Sequence, residues 1–358
     1  MNVEFFNYSK ILKDSEEDLV ASLKRCIGHG SFILGEEVLA FEEVFSKKVG
    51  SKYCIGMSNG TDSLTSILES LNLPYGSEVI VPAFTFIASA SVILKAGLKP
   101  VFVDLKAGSF SASIEFIENK LTDKTSAVIF VHLFGEHNDL SELSDLCNDR
   151  SIYLIEDCAQ SFGAPNGNYG IAGSFSFFPA KNLGCLGDGG AVVTNNKQLF
   201  EKLNMVRKHG MSKPYSYELL GGNYRLDALQ AAFLMVLLKK SDSWINRRRD
   251  NARFYMGELQ SVGDIILPRY SDNHSFNQFT IMTDKRDALK SYLATKGVSS
   301  NIYYPEPLYD NKIFDNNVKL ENTEFVCKRV LSIPIYPGLE DCEREYVAEC
   351  IKGFFNEL

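Results

Sequence analysis

Gly173-Ser-Phe-Ser-Phe-Phe-Pro-Ala-Lys-Asn-Leu-Gly-Cys-Leu-Gly-Asp-Gly-Gly-Ala-Val-Val-Thr194 is the stretch from which the rest of the chain is best read. An aromatic run, Phe175 to Phe178, delivers a single lysine, Lys181, and a glycine-rich segment turns the chain back into a second apolar run, Ala191 to Val193. An ammonium lodged between two buried strands is destabilised by several kcal/mol unless it is paired or loses its charge. Covalent capture of an aldehyde cofactor removes that charge, and desolvation lowers the amine pKa toward what a nucleophile needs. The plain alternative is a surface hairpin with the amine in water.

Two upstream segments favour the first reading. Tyr153-Leu-Ile-Glu-Asp-Cys-Ala-Gln160 is a short apolar run closed by a carboxylate, Asp157. That pattern reads as a parallel strand whose carboxyl end opens into a site, although such an aspartate also serves as a helix cap. A ring-nitrogen carboxylate and an aldehyde-binding lysine are what pyridoxal 5'-phosphate requires, so Asp157 and Lys181 together suggest that cofactor. Tyr53-Cys-Ile-Gly-Met-Ser-Asn-Gly-Thr-Asp-Ser-Leu64 runs from a strand through Gly60 and Thr61 into a helix with apolar residues at Leu64, Ile67, Leu68 and Leu71. The free amides and positive dipole end of such a helix suit a phosphate.

Asn59-Gly-Thr-Asp62, Pro82-Ala-Phe-Thr-Phe-Ile-Ala-Ser89, Glu156-Asp-Cys-Ala-Gln-Ser-Phe-Gly163, Phe177-Phe-Pro-Ala-Lys-Asn-Leu-Gly184 and Gly222-Asn-Tyr-Arg-Leu-Asp-Ala-Leu-Gln-Ala231 resemble the DegT/DnrJ/EryC1/StrS aminotransferases, from about Phe32 to Pro337. The resemblance implies the fold-type-I α/β architecture, pyridoxal phosphate as cofactor, and a nucleotide-linked keto-sugar as substrate with glutamate as amino donor. It implies that Lys181 and Asp157 are the catalytic pair. It assigns Phe86 to stacking on the cofactor ring, Gln160 to its ring-hydroxyl side, and Ser176, with Gly60 and Thr61, to its phosphate. Read from residue type alone, Phe86 packs equally well beneath a helix and Ser176 equally well caps its own backbone. Asn223 matches an asparagine that reaches the cofactor of a neighbouring subunit, which implies a homodimer with shared sites. Dehydratase relatives carry histidine where Lys181 stands, and the motifs are more similar to members aminating sugar C3 than C4. Tyr303 and Tyr309 occupy positions where histidines are common in the family.

Length and composition agree with a large soluble enzyme. With 358 residues, 45% of them hydrophobic, the chain can bury two cores, and the expected division is a cofactor-binding unit over 1–243 and a smaller α+β unit over 244–358. The start, Met1-Asn-Val-Glu-Phe-Phe, lacks a basic patch followed by an apolar stretch, so neither secretion nor a membrane is indicated and the cytoplasm is the default. A formal net charge of −8 argues against a general nucleic-acid binder. Eight scattered cysteines, without Cys-x-x-Cys pairs or histidines at zinc spacing, read as reduced packing residues and give no metal site.

The remaining chain alternates strands and helices: strands at Tyr53 to Met57, Glu78 to Val81, Pro100 to Val103, Ala127 to Val131 and Tyr153 to Ile155, with helices between them. This rhythm predicts a mainly parallel sheet covered on both faces. Beyond the boundary, strands are expected at Phe276 to Met282 and Val298 to Tyr303, and helices at Arg286 to Lys296 and Glu343 to Phe355. The basic residues of Lys202 to Met211 read as a solvated helix end, with a phosphate or substrate-carboxylate role as the alternative, and the triplet Arg247-Arg-Arg249 reads as a solvated helical face. A nicotinamide-dependent sugar epimerase or dehydrogenase would share the rhythm but needs Gly-x-Gly-x-x-Gly, which Gly56-Met-Ser-Asn-Gly60 is not. A non-catalytic or dehydratase-like homologue would be expected to lose Lys181 or Asp157, and both are present.

Overall fold

A computed structural model describes residues 1–314 and 318–357. Seven strands form one sheet: β1 (Tyr53–Met57), β2 (Glu78–Pro82), β3 (Lys99–Val103), β4 (Thr125–Val131), β5 (Tyr153–Asp157), β6 (Ala172–Ser176) and β7 (Gly190–Thr194). Their order is β1-β7-β6-β5-β4-β2-β3. The β2/β3, β2/β4, β4/β5 and β5/β6 pairs are parallel, whereas β7 runs antiparallel to both β6 and β1. The mainly parallel sheet expected from the alternation is present, and the Phe175 and Ala191 runs are the neighbouring β6 and β7.

Alternate residues of the strands feed opposite faces, as the two-residue period requires. In β4, Ala127, Ile129 and Val131 join the core beneath the Gly60–Leu71 and Ala88–Lys95 helices, while Val128 and Phe130 pack with Leu143 and Cys147 of the Ser141–Asp149 helix. Near β7 the second face is covered by Phe41 and Phe45 of the Glu36–Val49 helix and by Leu234 and Leu237 of the Ala228–Leu238 helix. The latter helix is apolar all round because the Glu16–His29 and Glu36–Val49 helices both pack on it.

A separate core gathers Tyr255, Leu259, Phe279, Ile281, Leu331, Ile333, Val347 and Ile351 around two antiparallel strands, Phe279–Met282 and Val330–Ile333. Val3 and Ile11 belong to this core, and Val3 bridges to Val298 in parallel. The expected strand at Val298 to Tyr303 is replaced by isolated bridges at Val298 and Asn301. The expected strand from Phe276 begins only at Phe279, because Phe276 adopts φ 44° and leaves the extended region.

Several charges read as solvated are buried. Arg207 pairs with Glu42 and donates to the Asn204 side chain at 2.8 Å. Arg248 is 2% exposed, and Arg247 and Arg249 both donate to backbone carbonyls. Seven of the eight cysteines are buried, Cys342 is exposed, and all are free thiols. Among the described residues no helix is long and apolar enough to cross a membrane.

Candidate active site

The carboxyl ends of β1, β2, β4, β5 and β6 open on one cavity of about 630 Å³. Gly60, Thr61, Phe86, Asp157, Gln160, Ser176 and Lys181 all line it. Asn223 does not; it is exposed and bridges to Lys208.

Asp157 ends β5. Its carboxylate accepts the Ser89 hydroxyl at 2.7 Å and the Ala159 amide at 3.1 Å. Burial raises its pKa, and those two hydrogen bonds and the nearby Lys181 charge oppose the rise. Lys181 follows a turn closed by its own amide, which donates to the Phe178 carbonyl at 2.8 Å. Burial lowers its amine from the ordinary 10.5 to about 8, with Asp157 acting the other way. The solvent that partly reaches Lys181 is the space of the cavity itself, which it lines.

At the end of β1, Asn59 caps the Gly60–Leu71 helix by accepting the Asp62 amide at 2.8 Å. The Gly60 and Thr61 amides find no acceptor among the described residues and face the cavity edge. A Cβ at Gly60 would stand 2.8 Å from the Ser176 Cβ, so glycine lets helix end and serine meet in one cradle. Ser176 also accepts the Phe178 amide at 3.4 Å, the backbone capping that its residue type allowed.

On the far wall the Gln160 Oε1 accepts the Phe134 amide at 2.8 Å, which turns its Nε2 toward the Tyr304 hydroxyl at 3.3 Å. Tyr304 packs edge-on to Phe84 and 6.3 Å from the ring of Phe86, which is 55% exposed to the opening. Tyr303 lines the cavity, whereas Tyr309 is buried against Phe102 and its hydroxyl accepts the Leu320 amide at 3.2 Å.

Ser89, Asp188, Asn277, Gln278 and Tyr304 line the cavity without having been singled out in the sequence. Ser89 closes the Pro82–Ser89 motif and Tyr304 lies beside Tyr303, so the segments were visible. Which side chains turn inward was not, because Ser89 sits in the first turn of a helix whose rotation the motif does not fix and the others lie in loops without a period.

An amine able to shed its proton, a carboxylate in the same enclosure, an open amide pair beside two hydroxyls and a flat aromatic wall fit a phosphorylated pyridine aldehyde. Among the described residues the lining holds one cation, Lys181, against Asp62, Asp157 and Asp188.

The DegT/DnrJ/EryC1/StrS aminotransferase family matches residues 13–352. A protein of Geobacillus stearothermophilus described as a pleiotropic regulatory protein is 36% identical over 371 residues, covering 100% of both chains. A UDP-N-acetyl-3-dehydro-α-D-glucosamine 3-aminotransferase of Acidithiobacillus ferrooxidans is 37% identical, covering 94% of this chain and 93% of its own. Among solved structures, Streptomyces venezuelae DesV in complex with a ketimine intermediate superposes with a TM-score of 0.96 at 32% identity, covering 100% of this chain and 99% of that one.

Proposed function

We propose, for a chain that belongs to the DegT/DnrJ/EryC1/StrS aminotransferase family and is a pyridoxal-phosphate-dependent sugar aminotransferase, that it moves an amino group from L-glutamate onto the C3 keto carbon of a nucleotide-linked keto-deoxysugar. The observation that carries this reading is the meeting of Asp157 and Lys181 in one cavity, the carboxylate held by Ser89 and Ala159 and the amine lowered to about 8. The choice of C3 follows the motifs and the 3-aminotransferase from Acidithiobacillus ferrooxidans.

When bound, the cofactor supplies an aldehyde that carries nitrogen between substrates and a ring that accepts electrons. Asp157 keeps a proton on the ring nitrogen. Gly60, Thr61 and Ser176 hold the phosphate, Phe86 covers the ring, and Gln160, oriented by the Phe134 amide, offers its Nε2 to the ring oxygen. Lys181 Nζ, lowered by burial to about 8, would remove the α-proton of the amino donor and later deliver one to the sugar carbon that bears the new amine.

Two copies share their sites in this reading, with Asn223 of each reaching the other's cavity. Its exposure outside the lining of its own cavity supports that, as does a lining too poor in cations to meet a phosphate and a nucleoside diphosphate alone. In this reading the cofactor-binding unit lies within 1–243 and the capping unit begins at 244, with Val3 and Ile11 of the amino-terminal segment packed into the second core. Kinship to the pleiotropic regulatory protein of Geobacillus stearothermophilus does not favour a silent homologue, because Lys181 and Asp157 stand together here.

The test is to load the purified protein with pyridoxal phosphate and add glutamate. The visible cofactor band should convert to the near-ultraviolet with one equivalent of 2-oxoglutarate, and NMR of the sugar product should place nitrogen on C3. A 4-amino product overturns the regiochemistry, and an unreactive band overturns transamination. Lys181→Ala should lose turnover by about 10³-fold or more.

A further inference from the structure

Arg248, in the Ser241–Leu259 helix, is a buried guanidinium with no carboxylate partner among the described residues. Its Nη1 donates to the Phe276 carbonyl at 3.1 Å and the Asn277 carbonyl at 3.3 Å, and its Nε has no acceptor among the described residues. Burial lowers its pKa to about 9. Charge buried in this way is poor as a source of stability, since apolar side chains of similar size usually hold two segments together as well. What it grips is more informative.

The gripped residues form a strap. Arg249 holds its start, donating from Nε to the His274 carbonyl at 3.0 Å and from Nη2 to the Gly163 carbonyl at 3.1 Å. On the opposite side the strap holds the lysine turn. The Asn277 side-chain amide donates to the Ala180 carbonyl at 3.3 Å and to the Asn182 Oδ1 at 3.2 Å. Asn182 returns hydrogen bonds to the Ser275 carbonyl at 3.1 Å and to the Phe162 carbonyl at 3.0 Å. Both neighbours of Lys181 are therefore tied to residues 275–277, of which Phe276 and Asn277 give their carbonyls to Arg248. Phe276, at φ 44°, leaves the extended pairing that would otherwise satisfy those carbonyls.

We propose that Arg248 is a positioning residue for Lys181, fixing the 274–277 strap so that Asn277 and Asn182 hold the lysine turn in register with Asp157. This rests on the reading of Lys181 as the catalytic amine. The chain is direct: guanidinium to strap carbonyls, strap amide to turn carbonyl, turn to amine. It makes the second core a scaffold for the chemistry at the end of the sheet.

Arg248→Met keeps most of the volume and removes the donors. In the cofactor-free protein, hydrogen exchange should quicken by about 10-fold in peptides spanning 178–185 and 274–278 and stay unchanged in 125–131. In the loaded enzyme, kcat should fall by about 10- to 10²-fold with KM for glutamate within about twofold, the signature of a displaced amine and not of lost binding. Arg248→Lys should recover part of kcat. If Arg248→Met does not fold, Asn182→Ala breaks the same chain from the other end and should give the same split. A folded variant of either kind with wild-type kcat and unchanged exchange at 178–185 overturns the proposal, as does exchange that rises evenly across the chain. A wild-type enzyme without a cofactor band or glutamate turnover would instead overturn the reading of the site.

Discussion

Glu156 and Asp157 are neighbours at the end of β5, both carboxylates and both buried, yet they face opposite sides of the sheet and meet opposite surroundings. Glu156 is saturated: it meets His132 at 3.0 Å and accepts the amides of Gly167 at 2.8 Å, Tyr169 at 2.7 Å and Gly170 at 2.9 Å. Burial would raise its pKa, but the His132 and backbone hydrogen bonds outweigh burial and hold it below the ordinary carboxylate value. Asp157 has two protein donors and an open cavity, and its pKa goes up. A carboxylate whose oxygens are all taken builds the fold, and one left with unused acceptor capacity toward a cavity is available to a ligand.

Four experiments would break or sharpen that contrast. The largest effect belongs to Asp157→Asn, which should lower glutamate turnover by about 10²- to 10⁴-fold while leaving the melting temperature of the cofactor-free protein within a few degrees; a severalfold loss would place Asp157 with Glu156 as structural. Glu156→Gln should do the reverse. Urea titration should show a loss of about 2–4 kcal/mol, with the folded fraction keeping its turnover within a few-fold.

The third contrast is one of pH. Glu156, lowered in the native state, contributes stability that is present above the ordinary value of 4.5 and is lost as pH falls through its native pKa. Lys181 acts at the alkaline end. Between about pH 8 and its ordinary 10.5 the unfolded chain holds a proton that the native amine has released, so its share of stability should rise with pH across that window. Comparing cofactor-free wild type with Lys181→Met by denaturant titration at successive pH values checks this; parallel curves would refute it. The smallest effect is expected from Ser89→Ala. Removing one of the two Asp157 donors should cost about 1 kcal/mol and move the acid limb of the rate profile upward, because the remaining contacts oppose burial less well.

Much of this arrangement could be read beforehand. β1 to β7 fall on short apolar runs, Lys181 and Asp157 were identifiable because their charge does not fit their apolar neighbourhoods, and Gly60 and Thr61 because they open a helix directly after a strand. The second core was harder. Phe276 to Met282 has the composition of one strand, but a positive φ at Phe276 diverts its first residues into the strap that holds Asn182. The arginine triplet looked like a solvated face because charge is usually solvated; three of its hydrogen-bond partners are carbonyls 25 to 29 residues further along the chain.

Chain order alone was enough to locate the parallel sheet, the glycine turn that opens the Gly60–Leu71 helix and the pair of groups that line the cavity, because strand periodicity and burial are local properties written in each segment. Assigning Ser89 to Asp157, Tyr304 to Gln160 and Arg248 to the lysine turn needed the folded molecule. The first two contacts join side chains separated by 68 and 144 residues, and the third runs through Asn277, 95 residues from Asn182 and 97 from Ala180, where no repeat links one side chain to the next and geometry alone selects the partner.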